Sequence, residues 1–130
     1  MTQEERDILI ADLCGRLPYG VKIKEEYGDY INVNIHNAHI EHLIDRVASG
    51  LDKLVLRPLS SMTEEEYQEF NNIRTEHTLK CLELNGKESF ELGMRFQQEE
   101  LLYLYQRHYD ICGLIPKGLA LKANGEMYNN

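Results

Sequence analysis

Leu56-Arg57-Pro58-Leu59-Ser60-Ser61-Met62-Thr63-Glu64-Glu65-Glu66 holds a strand exit, a turn and a helix start in one short run. Pro58 has no N–H and a fixed φ, so the strand candidate Lys53-Leu54-Val55-Leu56-Arg57 must end there or lie at an edge. Thr63 and Glu66 have the spacing of a capping box, and Glu64 and Glu65 place negative charge in the first turn, where the helix dipole favours it. The run therefore divides a mixed N-terminal half from an acidic helical half.

Upstream, Thr2 and Glu5 form a second capping-box pair. Leu9, Ile10, Leu13, Cys14 and Leu17 recur at helical spacing, which predicts a helix over about 3–16. Pro18 closes it by pushing Leu17 out of the α region. Val21 and Ile23 alternate with Lys22 and Lys24, and Ile31, Val33 and Ile35 alternate with Asn32, Asn34 and His36. With Tyr27-Gly28-Asp29 as turn chemistry, this predicts a hairpin of strands 20–26 and 30–36, its branched residues on one face. Ile40, Leu43, Ile44 and Val47 fit a helix over 38–48 ending at Gly50, with a short strand as the alternative.

Downstream, Tyr67, Phe70, Ile73 or Arg74, His77, Cys81 and Leu84 track one face of a helix over 64–84, stopped by Asn85-Gly86. Phe96, Leu101, Leu104, Tyr105 and His108 predict a second long helix over about 90–109, begun at Glu88 or Ser89. Gly113, Pro116 and Gly118 punctuate an apolar tail, and the chain frays after Lys122.

The length of 130 residues suits one domain with one core. The net charge of −8 is uneven: −3 over residues 1–62, −6 over 63–100 and +1 over 101–130. An acidic helical half does not suit phosphate-backbone binding, which needs clustered Lys and Arg. It reads as a solvated face, or as a surface for a basic partner. The three cysteines are odd in number with no CxxC, and the N-terminus is polar. No apolar run approaches the roughly 20 residues that span a bilayer. The expectation is a cytoplasmic protein with free thiols and no membrane association.

Three blocks carry a likeness. Asp12-Leu13-Cys14-Gly15-Arg16-Leu17-Pro18-Tyr19-Gly20-Val21 is the first, and Leu56-Arg57-Pro58-Leu59-Ser60-Ser61-Met62-Thr63-Glu64-Glu65 the second. The third is His108-Tyr109-Asp110-Ile111-Cys112-Gly113-Leu114-Ile115-Pro116-Lys117-Gly118-Leu119-Ala120-Leu121. In these the chain resembles a family of small uncharacterised proteins from phage-derived and mobile regions of Bacteroides-type bacteria. The chain departs from that pattern in its helix-like His39–Ala48 stretch and in Pro116, which stands where the family often has a charged residue. The resemblance implies a small cytoplasmic accessory protein. It transfers no reaction, ligand or catalytic residue.

Each candidate for chemistry has a simpler reading beside it. His36, His39 and His42 are spaced by three, and His39 with His42 on one helix would offer two metal-ligand nitrogens; a polar face explains them as well, and no H-E-x-x-H motif is present. His108 and Cys112 would pair as base and thiol only if the helix reached Cys112. Tyr103, Tyr105, Tyr109, Phe90 and Phe96 suit packing or an interface better than base stacking, because few basic residues accompany them. Arg57 with Ser60, Ser61 and the helix start at 64 suggests an anion site, but Glu64, Glu65 and Glu66 oppose it.

These readings predict a single α+β domain over 1–130. It comprises a mixed half at 1–62, a helical half at 63–122 and a frayed tail at 123–130. An N-terminal helix and a small antiparallel sheet would pack on a C-terminal helical hairpin. The function expected is a non-enzymatic protein-binding accessory or inhibitor with no cofactor. Glu64, Glu65, Glu69, Glu99 and Glu100 are its candidate partner-binding residues. A metal- or ligand-binding protein or enzyme using the His36/His39/His42 region is the alternative, and an acidic nucleic-acid mimic a further one. A homodimer would follow from an apolar strip left over on the long helices.

Overall fold

The computed structural model describes residues 1–128. The chain is α+β and divides into two compact units, one of residues 1–59 with 105 onward, the other of residues 60–104.

The first unit begins with α1, Gln3–Arg16, whose N-cap Thr2 completes the expected capping box with Glu5. Leu17 keeps helical angles (φ −54°, ψ −37°) although Pro18 follows, so the expectation for that residue is corrected. Leu17 is 4% exposed within the core, and its burial outweighs the pre-proline bias. The helix ends at Arg16 with Leu17 as its C-cap, and the turn that follows closes at Gly20, whose φ of +84° suits a residue without a Cβ.

β1 (Val21–Lys24) and β2 (Tyr30–Val33) form the hairpin, with Val21 opposite Val33 and Ile23 opposite Ile31. Both strands are shorter than expected; Ile35 lies in the turn after β2, and Ile31 and Ile35 are exposed. β2 is the edge strand, and of its hydrophobic residues only Val33 reaches the core. α2 spans Ile40–Ala48, which settles the helix-or-strand choice. Its end is a Schellman motif: Leu51 N–H donates to Arg46 C=O, Gly50 N–H donates to Val47 C=O, and Gly50 takes φ +80°. β3 (Lys53–Leu56) is the central strand beside β1, and its Leu54, Val55 and Leu56 are fully buried.

A fourth strand was not expected. Ala120–Lys122, β4, pairs parallel with β3, so the sheet is mixed, in the order β2-β1-β3-β4. The helical half therefore does not extend to 122; residues 105–128 return to the first unit. Nor does the chain simply fray after Lys122: Ala123 N–H donates to Leu56 C=O, and Tyr128 is tied to the sheet. Residues 129–130 of the expected frayed tail lie outside the described residues. Leu9, Leu13 and Leu17 of the first helical segment, Leu43 and Val47 of α2, the inward residues of the strands and Leu114 make one core. Within it Arg16, completely buried, pairs with Asp12 (Nε–Oδ2 2.6 Å) and donates to Tyr109 C=O at 2.6 Å.

A 3-10 turn at Leu59–Ser61 leads into the second unit, which holds α3 (Glu64–Leu82) and all but the last two residues of α4 (Gly86–Gln106). Thr63 makes the predicted capping box with Glu66. α4 starts four residues earlier than expected; Ser89 is not its cap but donates its hydroxyl to Cys81 C=O. The two helices form an antiparallel hairpin: Phe70 stacks on Tyr103 at 5.3 Å, His77 on Phe96 at 3.9 Å, and Arg74 reaches Glu100 at 3.3 Å. No described helix is long and apolar enough to cross a membrane.

Candidate functional site

Two places stand out, one in each unit. The first is the outer face of α4. With about 3.6 residues per turn, Leu92, Phe96 and Tyr103 fall on one stripe, and it is this stripe whose Phe96 and Tyr103 rings meet α3. Phe90, Met94, Leu101 and Leu104 fall on a second stripe, about two-fifths of a turn away. Phe90 is 68% exposed, Met94 53% and Leu101 37%. Shallow grooves run along this second stripe, with Glu88, Glu91, Arg95 and Glu100 among the residues that line them. On α3, Leu79 and Leu82 are also exposed, and no residue of α3 is fully buried.

The second place is a polar pocket of about 340 Å³ in the first unit, bounded by the start of β1, the end of β2, His108 and the tail. The β1–β3 ladder ends at Lys22 opposite Val55. There the Tyr128 hydroxyl enters between the strands, accepting from Lys22 N–H and donating to Val55 C=O, both at 2.6 Å. Burial pushes that phenol up to about 12. His108 stacks on the Tyr128 ring at 3.9 Å. It has φ +67°, the left-handed region that costs a non-glycine residue about 1–2 kcal/mol. Its backbone is held there by Arg57, whose N–H donates to His108 C=O while Asp110 N–H donates to Arg57 C=O, each at 2.8 Å. The His108 Nδ1 is sealed from solvent with no hydrogen-bond partner among the described residues.

Burial, then the charges of Arg16, Arg57 and Lys22, push His108 down to about 4. An imidazole in the unfolded chain titrates near 6.5. Between those values the unfolded state holds a proton that the folded state lacks, so stability is greatest above the window and declines as pH falls through it. His108→Asn, which tolerates the left-handed backbone, is expected to flatten this decline in urea titrations at pH 7 and pH 5. Equal declines in both proteins would show that His108 is not its source.

The residues singled out in the sequence are dispersed. His36 lies in the turn after β2, His39 is the N-cap of α2 without a side-chain cap bond, and His42 lies in the first turn of α2; all three are exposed. Among the described residues, no three His, Cys, Asp or Glu side chains gather as a metal site. His108 and Cys112 are not on one helix, because α4 ends at Gln106. Partial burial and the neighbouring Asp12 push the Cys112 thiol up, away from the thiolate a nucleophile needs. Glu64, Glu65 and Glu69 lie exposed near the start of α3, where Glu64 accepts from Gln68. Glu100 is largely covered at the hairpin seam, 3.8 Å from His77, whereas Glu99 reaches His77 at 3.4 Å from an exposed position. Arg57 serves the fold, with its guanidinium 4.3 Å from the Tyr109 ring centre.

Sequence reasoning merged the two stripes of α4 into one and missed the pocket. The stripes were legible from spacing alone, since Phe90 and Met94 are four apart. The pocket was not, because its walls come from segments some hundred residues apart. Comparison with protein-family models, with curated proteins and with solved structures finds no match.

Proposed function

We propose that this chain is a non-enzymatic protein-binding accessory, whose binding element is the outer stripe of α4 and whose partner presents an apolar helix flanked by Lys and Arg. The carrying observation is the exposure of Phe90, Met94 and Leu101 in line on a helix whose other stripe already packs on α3. Contiguous exposed apolar surface of this kind marks interaction sites. Charge selects the occupant. Residues 63–100 carry −6, so a second copy would set like charge against like, whereas a basic partner is attracted and steered. The apolar stripe also favours a protein partner over simple imitation of nucleic acid. Three free cysteines suit work in a reducing cytoplasm. A phage or mobile-element setting rests on the sequence resemblance alone.

The test uses two labelled helical peptides with the same apolar stripe, one flanked by Lys and Arg, the other by Glu. The basic peptide is expected to bind, more weakly in high salt, and to shift NMR signals of Phe90, Met94 and Leu101. Phe90→Ser with Met94→Ser should weaken it at least tenfold, about 1.4 kcal/mol, with unchanged circular dichroism. Equal binding of both peptides, or binding untouched by the double variant, would overturn the reading. So would light scattering that shows a dimer of the free protein dispersed by the same variant.

A further inference from the structure

The pocket beside His108 has an unusual balance of donors and acceptors. Lys22 Nζ spends one donor on Asn32 Oδ1 at 2.7 Å, leaving two. That bond occupies the Asn32 oxygen and leaves its NH2 end as the spare one. Asn34 Oδ1 likewise accepts from His36 N–H at 2.8 Å and Asn37 N–H at 3.1 Å, which leaves the Asn34 NH2. The Tyr128 hydroxyl is already both donor and acceptor. No carboxylate lines the pocket, although the chain carries −8 overall. Lys22, Asn32 and Asn34 thus supply an ammonium and two amide NH2 groups, with both amide oxygens already engaged.

We propose that this pocket binds a small molecule through an oxyanion group, a phosphate monoester or a carboxylate, held by Lys22 and the amides of Asn32 and Asn34. The cavity of about 340 Å³ is of small-ligand size, and Lys22 is the cation that lines it. His108 is a positioning residue: its left-handed backbone and its stack on Tyr128 hold the Tyr128 wall of the pocket beside Lys22. Strain of this kind is found where the surrounding structure holds a functional site in place. The proposal is independent of the α4 surface, since every residue it uses lies in the first unit.

The experiment is an NMR titration of the full chain at low ionic strength with inorganic phosphate, glycerol phosphate and propionate. Saturable shifts are expected at Lys22, Asn32, Asn34 and His108. Saturation by the phosphates alone, or by propionate alone, supports the proposal and names the preferred oxyanion. Lys22→Met is expected to weaken binding at least tenfold, and Lys87→Met on the hairpin to leave it unchanged. Asn34→Asp keeps the oxygen acceptors for His36 and Asn37 but adds a negative charge, so it should abolish binding while the thermal midpoint holds. Absence of saturation by all three probes up to about 10 mM, or equal affinity in the Lys22 and Asn34 variants, would overturn it; 10 mM corresponds to less than about 3 kcal/mol of binding.

Discussion

Asp12→Ala is expected to destabilise the protein by about 3–5 kcal/mol. Arg16 is completely buried and Asp12 is 1% exposed. The guanidinium meets the carboxylate through two bonds, Nε to Oδ2 at 2.6 Å and Nη2 to Oδ1 at 3.1 Å. Removing the carboxylate leaves a buried cation whose remaining hydrogen bond among the described residues is to the Tyr109 carbonyl. Arginine does not neutralise by losing its proton, so the fold must bear the cost of the unpaired charge. Asp12→Leu with Arg16→Met should recover most of the loss, because replacing both charges by apolar groups removes the desolvation penalty as well. Urea denaturation followed by circular dichroism measures both. A loss below about 1 kcal/mol for Asp12→Ala would mean that water reaches the pair.

Leu54→Ala is expected to cost about 2–5 kcal/mol, and Phe90→Ala less than about 0.5 kcal/mol. Leu54 lies on the central strand β3 at 0% exposure, within the cluster that α1, α2 and the sheet share. Its truncation removes buried methyl groups and leaves a cavity that flanking strands cannot close. Phe90 is a larger side chain on an outer helix face, 68% exposed, so little of its surface is withdrawn from water by folding. The contrast separates residues kept for the fold from residues kept for contact. A loss above about 2 kcal/mol for Phe90→Ala would show that the stripe holds this chain together, and the proposed binding surface would be withdrawn.

Local chemistry was readable from the residues themselves. The pairs Thr2 with Glu5 and Thr63 with Glu66 both form the capping boxes their spacing predicts. The alternation at Val21 and Ile23 buries both on β1. Gly50 ends α2 as anticipated, since a Schellman motif needs a residue that tolerates positive φ. Of the face traced on α3, Phe70, Ile73, His77, Cys81 and Leu84 are half-buried, whereas Tyr67 is 52% exposed.

What failed to show did so for physical reasons. Asp12 and Arg16 are four apart, the spacing of an ordinary surface pair on a helix, and nothing local marks them as buried. Ala120-Leu121-Lys122 is too short to signal a strand; it becomes one only because β3 offers an open edge alongside. His108 takes its left-handed backbone through long-range hydrogen bonds to Arg57.

The sequence alone determined the two capping boxes, the stop of α2 at Gly50, the inward face of β1 and how the acidic charge is spread, because each depends on neighbours within a few residues. Tertiary structure alone decided that Arg16 is buried, that the tail returns to pair with β3, and that Lys22, Asn32, Asn34 and His108 bound one pocket. Those outcomes need distant segments brought together, and burial and field at a point depend on everything that surrounds it.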